Sequence, residues 1–335
     1  MKYVIAKLID GRDLHETEIM RAMNLIIEGE VTPAQIGSFM TALRIKGESI
    51  AEITGAAKSM RQKSTRIDVR SQVVMDTCGT GGDQSGTFNI STTVAFVVAS
   101  AGVVVAKHGN RSVSSDCGSA DVLEKLGVNI FADPDVVEEC LQQIGIGFLF
   151  APKLHSAMKH VSDARQEIGV RTLFNMLGPL SNPAGTKYQL LGVYDPALTE
   201  IFAGVLKNLG SQKAFVVHGL DGLDEISICA PTRISELKDG LIRTYNFDPS
   251  QVFQQTYSLE EIKGGDASQN AEILIDVLSG KQGPHRDIVL LNSAFALMAA
   301  EKVSTLADAI QFSEKCIDEG FSKQKLMDII QYSNM

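Results

Sequence analysis

The sequence predicts an α/β protein in which a small helical domain is hinged to a larger domain built on a mainly parallel sheet. Three observations carry this. The first sixty-odd residues repeat apolar side chains at helical spacing, with caps between the repeats. From about Val69 the pattern changes to short β-branched runs alternating with helices, the signature of βαβ units. Near residue 156 the alternation breaks for one helical stretch ending NMLGPLSNP, then resumes at Tyr188. The reading is therefore that residues 1–70 plus 156–187 form the helical domain and 71–155 plus 188–335 the α/β domain, with a cleft where the chain crosses twice.

In the N-terminal part, Ile19, Met23, Ile26 and Ile27 share a helical face, and Gly29 ends that helix. Thr32, Pro33 and Gln35 make a capping box, after which Ile36, Phe39, Met40 and Leu43 form an apolar stripe. Ser49 and Glu52 cap a further helix carrying Ile50, Ile53, Ala57 and Met60. These stripes need a partner, in this chain or in a second subunit. Strands are predicted at Val73–Met75, Val103–Ala106, Val128–Phe131, Ile146–Phe150, Gln189–Val193 and Ala214–His218. Helices are predicted at Thr92–Ser100, Ala120–Leu126, Pro134–Ile144 and Thr199–Leu209, with Asp133 as a cap. After Asp221 the runs ISICAP and LIRTYNF read as antiparallel strands, and helices around Asn292–Glu301 and Thr305–Glu319 finish the chain.

The stretch Asp76–Ser119 concentrates the chemistry. It holds two loops, DTCGTGGDQSGTFNIST and KHGNRSVSSDCGS, each fed by an apolar strand and opening into a helix. Glycine-freed backbone N–H groups with helix N-termini behind them form an anion site, and Lys107, His108 and Arg111 add charge. A polyphosphate or phosphosugar is the ligand class implied. A Walker A loop is absent. A dinucleotide fingerprint fails because Gln84 stands where Gly or Ala is needed and Asp83 would face the pyrophosphate. Taken alone the first loop is a weak signal, with a tight turn as the alternative; the crowded second loop raises the functional reading.

Bulk properties set limits. With 335 residues, 44% hydrophobic and 21% charged, the chain is globular, and its net charge of −9 argues against nucleic-acid or anionic-membrane binding. Five scattered cysteines without a C-x-x-C pair suggest reduced thiols in a cytoplasmic protein. Cys78, inside the first loop, reads as a small apolar residue at a tight turn rather than a nucleophile.

The runs D-T-C-G-T-G-G-D, T-F-N-I-S-T, V-A-K-H-G-N-R-S-V-S-S and G-S-A-D-V-L-E-K-L-G, with N-x-L-G-P-L-x-N-P at Asn175–Pro183 and D-G-L-D-E at Asp221–Glu225, closely resemble the anthranilate phosphoribosyltransferase family of tryptophan biosynthesis. The resemblance spans most of the chain. It implies a fold similar to the pyrimidine nucleoside phosphorylases, a homodimer through the helical domains, and Mg²⁺-dependent transfer of phosphoribosyl from 5-phosphoribosyl 1-diphosphate to the amine of anthranilate. It implies donor contacts at Gly79, Gly82, Asp83, Thr87, Asn89, Ile90, Ser91, Thr92, Lys107, His108, Gly109, Asn110, Arg111, Ser112, Val113, Ser114, Ser115 and Ser119. Ser91, Asp224 and Glu225 would carry magnesium, and Gly79, Asn110 and Arg165 would contact anthranilate. Asp224-Glu225 suits magnesium's preference for oxygen ligands, though by itself it reads more readily as a surface acidic pair. Arg165 offers the bidentate fork a carboxylate favours. No general base is assigned; His108 and His155 are the available proton shuttles. Rival readings are a pyrimidine nucleoside phosphorylase, disfavoured because its basic loop resembles K-H-S-T-G-G, and a nucleic-acid-binding homologue, disfavoured by the acidic balance.

Overall fold

The computed structural model describes all residues except 84, 113–116, 156, 157 and 256. Chain order is α1 (Lys2–Ile9), α2 (Glu16–Ile27), α3 (Pro33–Lys46), α4 (Ile50–Lys63), β1 (Val74–Gly79), α5 (Ile90–Ser100), β2 (Val104–Gly109), α6 (Ser119–Lys125), α7 (Pro134–Gln143), β3 (Ile146–Phe150) and α8 (Ala151–Leu154). It continues α9 (Lys159–Ile168), α10 (Leu173–Leu177), β4 (Tyr188–Gly192), α11 (Leu198–Asn208), β5 (Lys213–Gly219), β6 (Thr232–Lys238), β7 (Leu241–Phe247), α12 (Ala267–Leu278), α13 (Pro284–Ala299), α14 (Leu306–Asp318) and α15 (Phe321–Ser333).

The strands form one sheet in the order β3-β2-β1-β4-β5-β6-β7, parallel from β3 through β5 and antiparallel at β6 and β7. From β1 the chain winds outward to β2 and β3, then returns to the opposite side of β1 for β4. The strand order therefore reverses between β1 and β4, and a crevice opens there at the carboxyl ends of the strands, where open α/β sheets take ligands. The register pairs Gly79 with Gly192 at that point.

The predicted caps form. Gln35 N–H donates to Thr32 Oγ1 at 3.3 Å, and Thr32 N–H to Gln35 Oε1 at 3.2 Å. Glu52 does the same with Ser49 and is fully buried, where its carboxylate also accepts from Leu14 N–H (2.9 Å) and Lys46 Nζ (2.9 Å). The partner for the N-terminal apolar stripes lies within the chain. Ile19, Met23, Phe39 and Leu43 share a core with Val161 and Ala164 of α9, Phe174 and Leu177 of α10, Phe202 and Leu206 of α11, and Leu191 and Val216 from one sheet face. The other face packs on α5, α12, α13 and α15.

Two expectations fail. Val128–Phe131 is a turn, because its backbone is satisfied elsewhere: Asn129 N–H donates to Ser333 Oγ (3.0 Å), and Phe131 N–H to Asn129 Oδ1 (3.1 Å). Ile226–Pro231 is a loop fastened by Asn292, whose Oδ1 accepts from Ile226 N–H (2.9 Å). The antiparallel partner of β7 is β6, in the register Thr232↔Phe247, not that run. Also unexpected are α1, α12 and α15.

Candidate active site

Four strand ends converge at the crevice. β1 ends at Gly79 and leads into the first glycine loop and α5; β2 ends at Gly109 and leads into α6; β4 ends at Gly192; the loop after β5 carries Asp221–Glu225. That last loop lies across the ends of β1 and β4. A Cβ on Gly192 would overlap the Asp224 carbonyl group, and one on Gly79 would overlap the Asp224 carboxylate, so only glycine at both positions admits the loop. The acidic pair is clamped there: Gly81 N–H donates to Asp224 Oδ2 (2.8 Å) and Ser91 N–H to Glu225 Oε1 (3.1 Å).

Ser91 stands in the first turn of α5, which places its backbone N–H on Glu225. Lys107 runs beneath both loops, 3% exposed, and donates to the Thr77 carbonyl (2.6 Å) and Ser91 Oγ (3.4 Å). Burial lowers its pKa, an effect opposed by the charges of Asp76 and Glu225. Asp76, fully buried, accepts from His108 N–H (3.2 Å) and Asn182 Nδ2 (2.8 Å), and Asn182 also donates to the Ala106 carbonyl (2.8 Å). The NMLGPLSNP stretch is thereby fastened to β1 and β2.

Burial first, then repulsion from Asp83, pushes Asp224 up to about 7. Glu225 is pushed well above the carboxylate range by burial and by Asp224, against the pull of Lys107. The crevice therefore holds an excess of carboxylate over cation that a hard divalent ion would relieve. Among the described residues no three His, Cys, Asp or Glu side chains converge into a ready-made metal cage. This donor set fits magnesium, which binds through one or two carboxylates together with substrate oxygens.

Asn89 joins the two glycine loops by donating to the Cys117 carbonyl (3.1 Å) and accepting from Asn270 Nδ2 (3.0 Å). Thr87 pairs with Lys263 in an isolated bridge. Gly82 and Asp83 lie in the first loop, while Ile90 and Thr92 are buried in the first turn of α5. In the second connection Asn110 O accepts from Ser119 Oγ (3.3 Å), and Asp121 Oδ2 gathers the N–H groups of Ser112 (3.0 Å) and Gly118 (2.9 Å). Arg111 is held by Asp121 (2.9 Å) and Glu124 (2.8 Å), so its charge is shared with α6. Val113, Ser114 and Ser115 lie outside the described residues. Arg165 is half-buried on α9, makes no side-chain hydrogen bond or ion pair among the described residues, and has its pKa lowered by burial. Among the described residues no hydrogen bond joins it to Gly79 or Asn110.

His108 and His155 form a buried pair, Nε2 to Nε2 at 3.2 Å. The Gly178 carbonyl, 3.1 Å from His108 Nδ1, can only accept, so His108 carries its proton on Nδ1 and accepts from His155 through Nε2. Burial, reinforced at His108 by the neighbouring His155, pushes His108 down to about 3 and His155 to about 4. The unfolded chain then binds more protons than the folded one below about pH 6.5, so stability falls on acidification. Between pH 6.5 and 5 each histidine removes about 2 kcal/mol. Urea midpoints of His155→Gln are expected to fall less steeply over this range than those of the unmodified chain; equal slopes would refute the neutral pair.

Sequence reasoning missed Gly192, Arg171 and Tyr194, and quoted Asn182 within a motif without assigning it a role. Arg171 donates to the Gly82 carbonyl and lies 4.1 Å over the Tyr194 ring, yet nothing in VRTLFN marks it as reaching the first glycine loop.

Comparison with known proteins agrees with this architecture. The glycosyl transferase family helical bundle domain matches residues 2–64, and the glycosyl transferase family a/b domain matches 71–323. The anthranilate phosphoribosyltransferase of Syntrophobacter fumaroxidans is 57% identical over 330 residues, covering 98% of each chain. That of Acetivibrio thermocellus is 52% identical, covering all of this chain and 97% of its own. The crystal structure of anthranilate phosphoribosyltransferase from Thermus thermophilus superposes with a TM-score of 0.94 at 38% identity, over 99% of both chains. The Saccharomyces cerevisiae enzyme in complex with PRPP (5-phosphoribosyl 1-diphosphate) and Mg gives 0.91 at 29% identity, over 99% of this chain and 97% of its own. Glycine-lined strand ends, an acidic pair clamped across them and full-length similarity to these transferases lead to one assignment: the chain belongs to the anthranilate phosphoribosyltransferase family.

Proposed function

We propose that the crevice between β1 and β4 binds 5-phosphoribosyl 1-diphosphate with Mg²⁺, and that the chain transfers the phosphoribosyl group to the amine of anthranilate there. The observation that carries this is the Asp224-Glu225 loop, clamped by Gly81 N–H and Ser91 N–H over two glycine-rich strand ends. It sets oxygen ligands beside an anion cradle.

In the reaction the bond from ribose C1 to the diphosphate oxygen breaks as the anthranilate nitrogen bonds to C1, and the amine loses a proton. Positive charge builds on the ribose and negative charge on the leaving diphosphate, so the protein's task is charge neutralisation and alignment. The loop N–H groups of Gly82 and Asp83, which have no acceptor among the described residues, would receive phosphate oxygens, and Lys107 supplies positive charge beneath them. Asp224, Glu225 and Ser91 would hold magnesium, which adds positive charge against the diphosphate. An aniline-type amine is unprotonated near neutral pH, so the neutral His108–His155 pair fits a polar wall better than a strong base.

Residues 1–70 and 156–187 are proposed as the acceptor-side domain, closing on the donor domain when ligand binds. Unchanged small-angle scattering on adding donor and Mg²⁺ would refute closure. A homodimer through the N-terminal helices is favoured by exposed Tyr3 and Ile9 on α1 and Ile45 on α3; a monomeric mass by light scattering would exclude it.

Arg165, a half-buried cation without a counter-charge among the described residues, suits a carboxylate ligand. Arg165→Ala is expected to raise the anthranilate KM about tenfold or more while leaving the donor KM within about twofold. The function itself is tested by Mg²⁺-dependent loss of anthranilate fluorescence with the donor. Absence of turnover, with nucleoside phosphorolysis in its place, would overturn it.

A further inference from the structure

We propose that Arg171 is a positioning residue for the donor: seated on the Tyr194 ring, it holds the Gly82 carbonyl and so turns the Asp83 N–H into the anion cradle. The proposal rests on the donor site described above and adds a residue from the opposite, α9–α10 side of the crevice.

Arg171 lies between α9 and α10, and its Nη2 donates to Gly82 O. Its guanidinium stacks 4.1 Å from the Tyr194 ring centroid. Tyr194 in turn donates its backbone N–H to Thr80 Oγ1 (3.1 Å), so seat and guanidinium both grip the same loop. A Cβ on Gly82 would overlap the guanidinium, and Gly82 has φ +75° beside Gly81 at +66°, so the turn accepts this contact only with glycine in place.

The consequence follows from peptide geometry. In a trans peptide the carbonyl of one residue and the N–H of the next point in opposite directions. Fixing Gly82 O on Arg171 therefore fixes the Asp83 N–H on the other side. The loop's N–H groups are unequally committed. Thr80 N–H is used by Gly192 O (2.9 Å) and Gly81 N–H by Asp224 (2.8 Å), whereas those of Gly82 and Asp83 have no acceptor among the described residues. Successive amides at left-handed glycines make a concave anion-binding nest. Arginine is required because only a planar guanidinium can stack on the ring while its edge donates.

The test uses Arg171→Lys, Arg171→Met, Tyr194→Leu and Tyr194→Phe in the full chain. The first three are expected to raise the KM for 5-phosphoribosyl 1-diphosphate about tenfold, with the anthranilate KM within about twofold and melting temperature nearly unchanged; Tyr194→Phe, which keeps the ring, should match the unmodified chain. Hydrogen exchange in Arg171→Met should accelerate in residues 79–90 and not in α10. An unchanged donor KM in Arg171→Met overturns the proposal, as does an equal rise in both KM values with a lowered melting temperature. Should the unmodified chain not turn these substrates over, the functional reading fails and exchange alone decides. Faster exchange in 79–90 then supports the clasp, and identical exchange overturns it.

Discussion

Lys107→Met is expected to lose about 3–5 kcal/mol of stability at neutral pH, together with turnover, because it strands buried carboxylates rather than because it leaves a hole. Methionine fills nearly the same volume, so packing around β2 is retained. What disappears is the cation between Asp76 and Glu225, of which Asp76 is fully buried and Glu225 only 8% exposed. Asp76 already has its pKa raised by burial, with Lys107 the first influence opposing that rise. Without Lys107 the folded state would retain a proton on Asp76 that the unfolded chain has released above about pH 4. A folded state that binds the extra proton loses stability as pH rises. The deficit relative to the unmodified chain should therefore be larger at pH 8 than at pH 5 in urea titrations. Adding Asp76→Asn should recover part of it, since the double variant no longer buries an unpaired charge. Equal midpoints for Lys107→Met and the unmodified chain would remove Lys107 from the electrostatics of the site.

What could be read in the sequence divides along the range of the interactions involved. The boxes Thr32–Gln35 and Ser49–Glu52 were legible because a cap is chemistry between residues three apart. The two strand-to-helix loops were legible for a similar reason, since glycine runs after short apolar strands have few other uses. Val128–Phe131 misled because an apolar run says that a segment is buried, not what its backbone bonds to; here the answer, Ser333, lies 204 residues away. β6 hid because Arg233, Glu236 and Lys238 interrupt its apolar residues on a strand near the sheet edge. Asp224-Glu225 is locally an ordinary acidic pair. Only the resemblance singled it out, and only the fold supplies the reason, by bringing it onto Gly81 and Ser91. Arg171 and Tyr194 carried no signal, because their meaning lies in a carbonyl 89 residues distant from the arginine.

Gly192→Ala is expected to lower kcat/KM about a hundredfold or more with a comparatively small effect on melting, a single methyl group acting through the Asp224-Glu225 loop. The alanine is conformationally acceptable: Gly192 ends β4 and is absent from the residues with positive φ. The obstacle is backbone. Its Cβ would fall on the Asp224 carbonyl group, which cannot rotate aside as a side chain can, so residues 223–225 must lift from the strand ends. Lifting them breaks the contacts of Asp224 with Gly81 N–H and of Glu225 with Ser91 N–H, and moves both carboxylates relative to the glycine loops. The sheet is held by β1–β4 pairing along its length and keeps most of its stability; overpacking of this kind costs about 1–3 kcal/mol. Gly204→Ala is the matched control. Its Cβ would meet Ile50 Cδ1 at 2.9 Å, the end of a flexible side chain, within helix α11 where alanine is favoured, so activity and melting should stay near those of the unmodified chain. Wild-type turnover in Gly192→Ala would mean that the 223–225 loop is free to move without consequence, and the clamp over the β1–β4 crevice would lose its place in the mechanism.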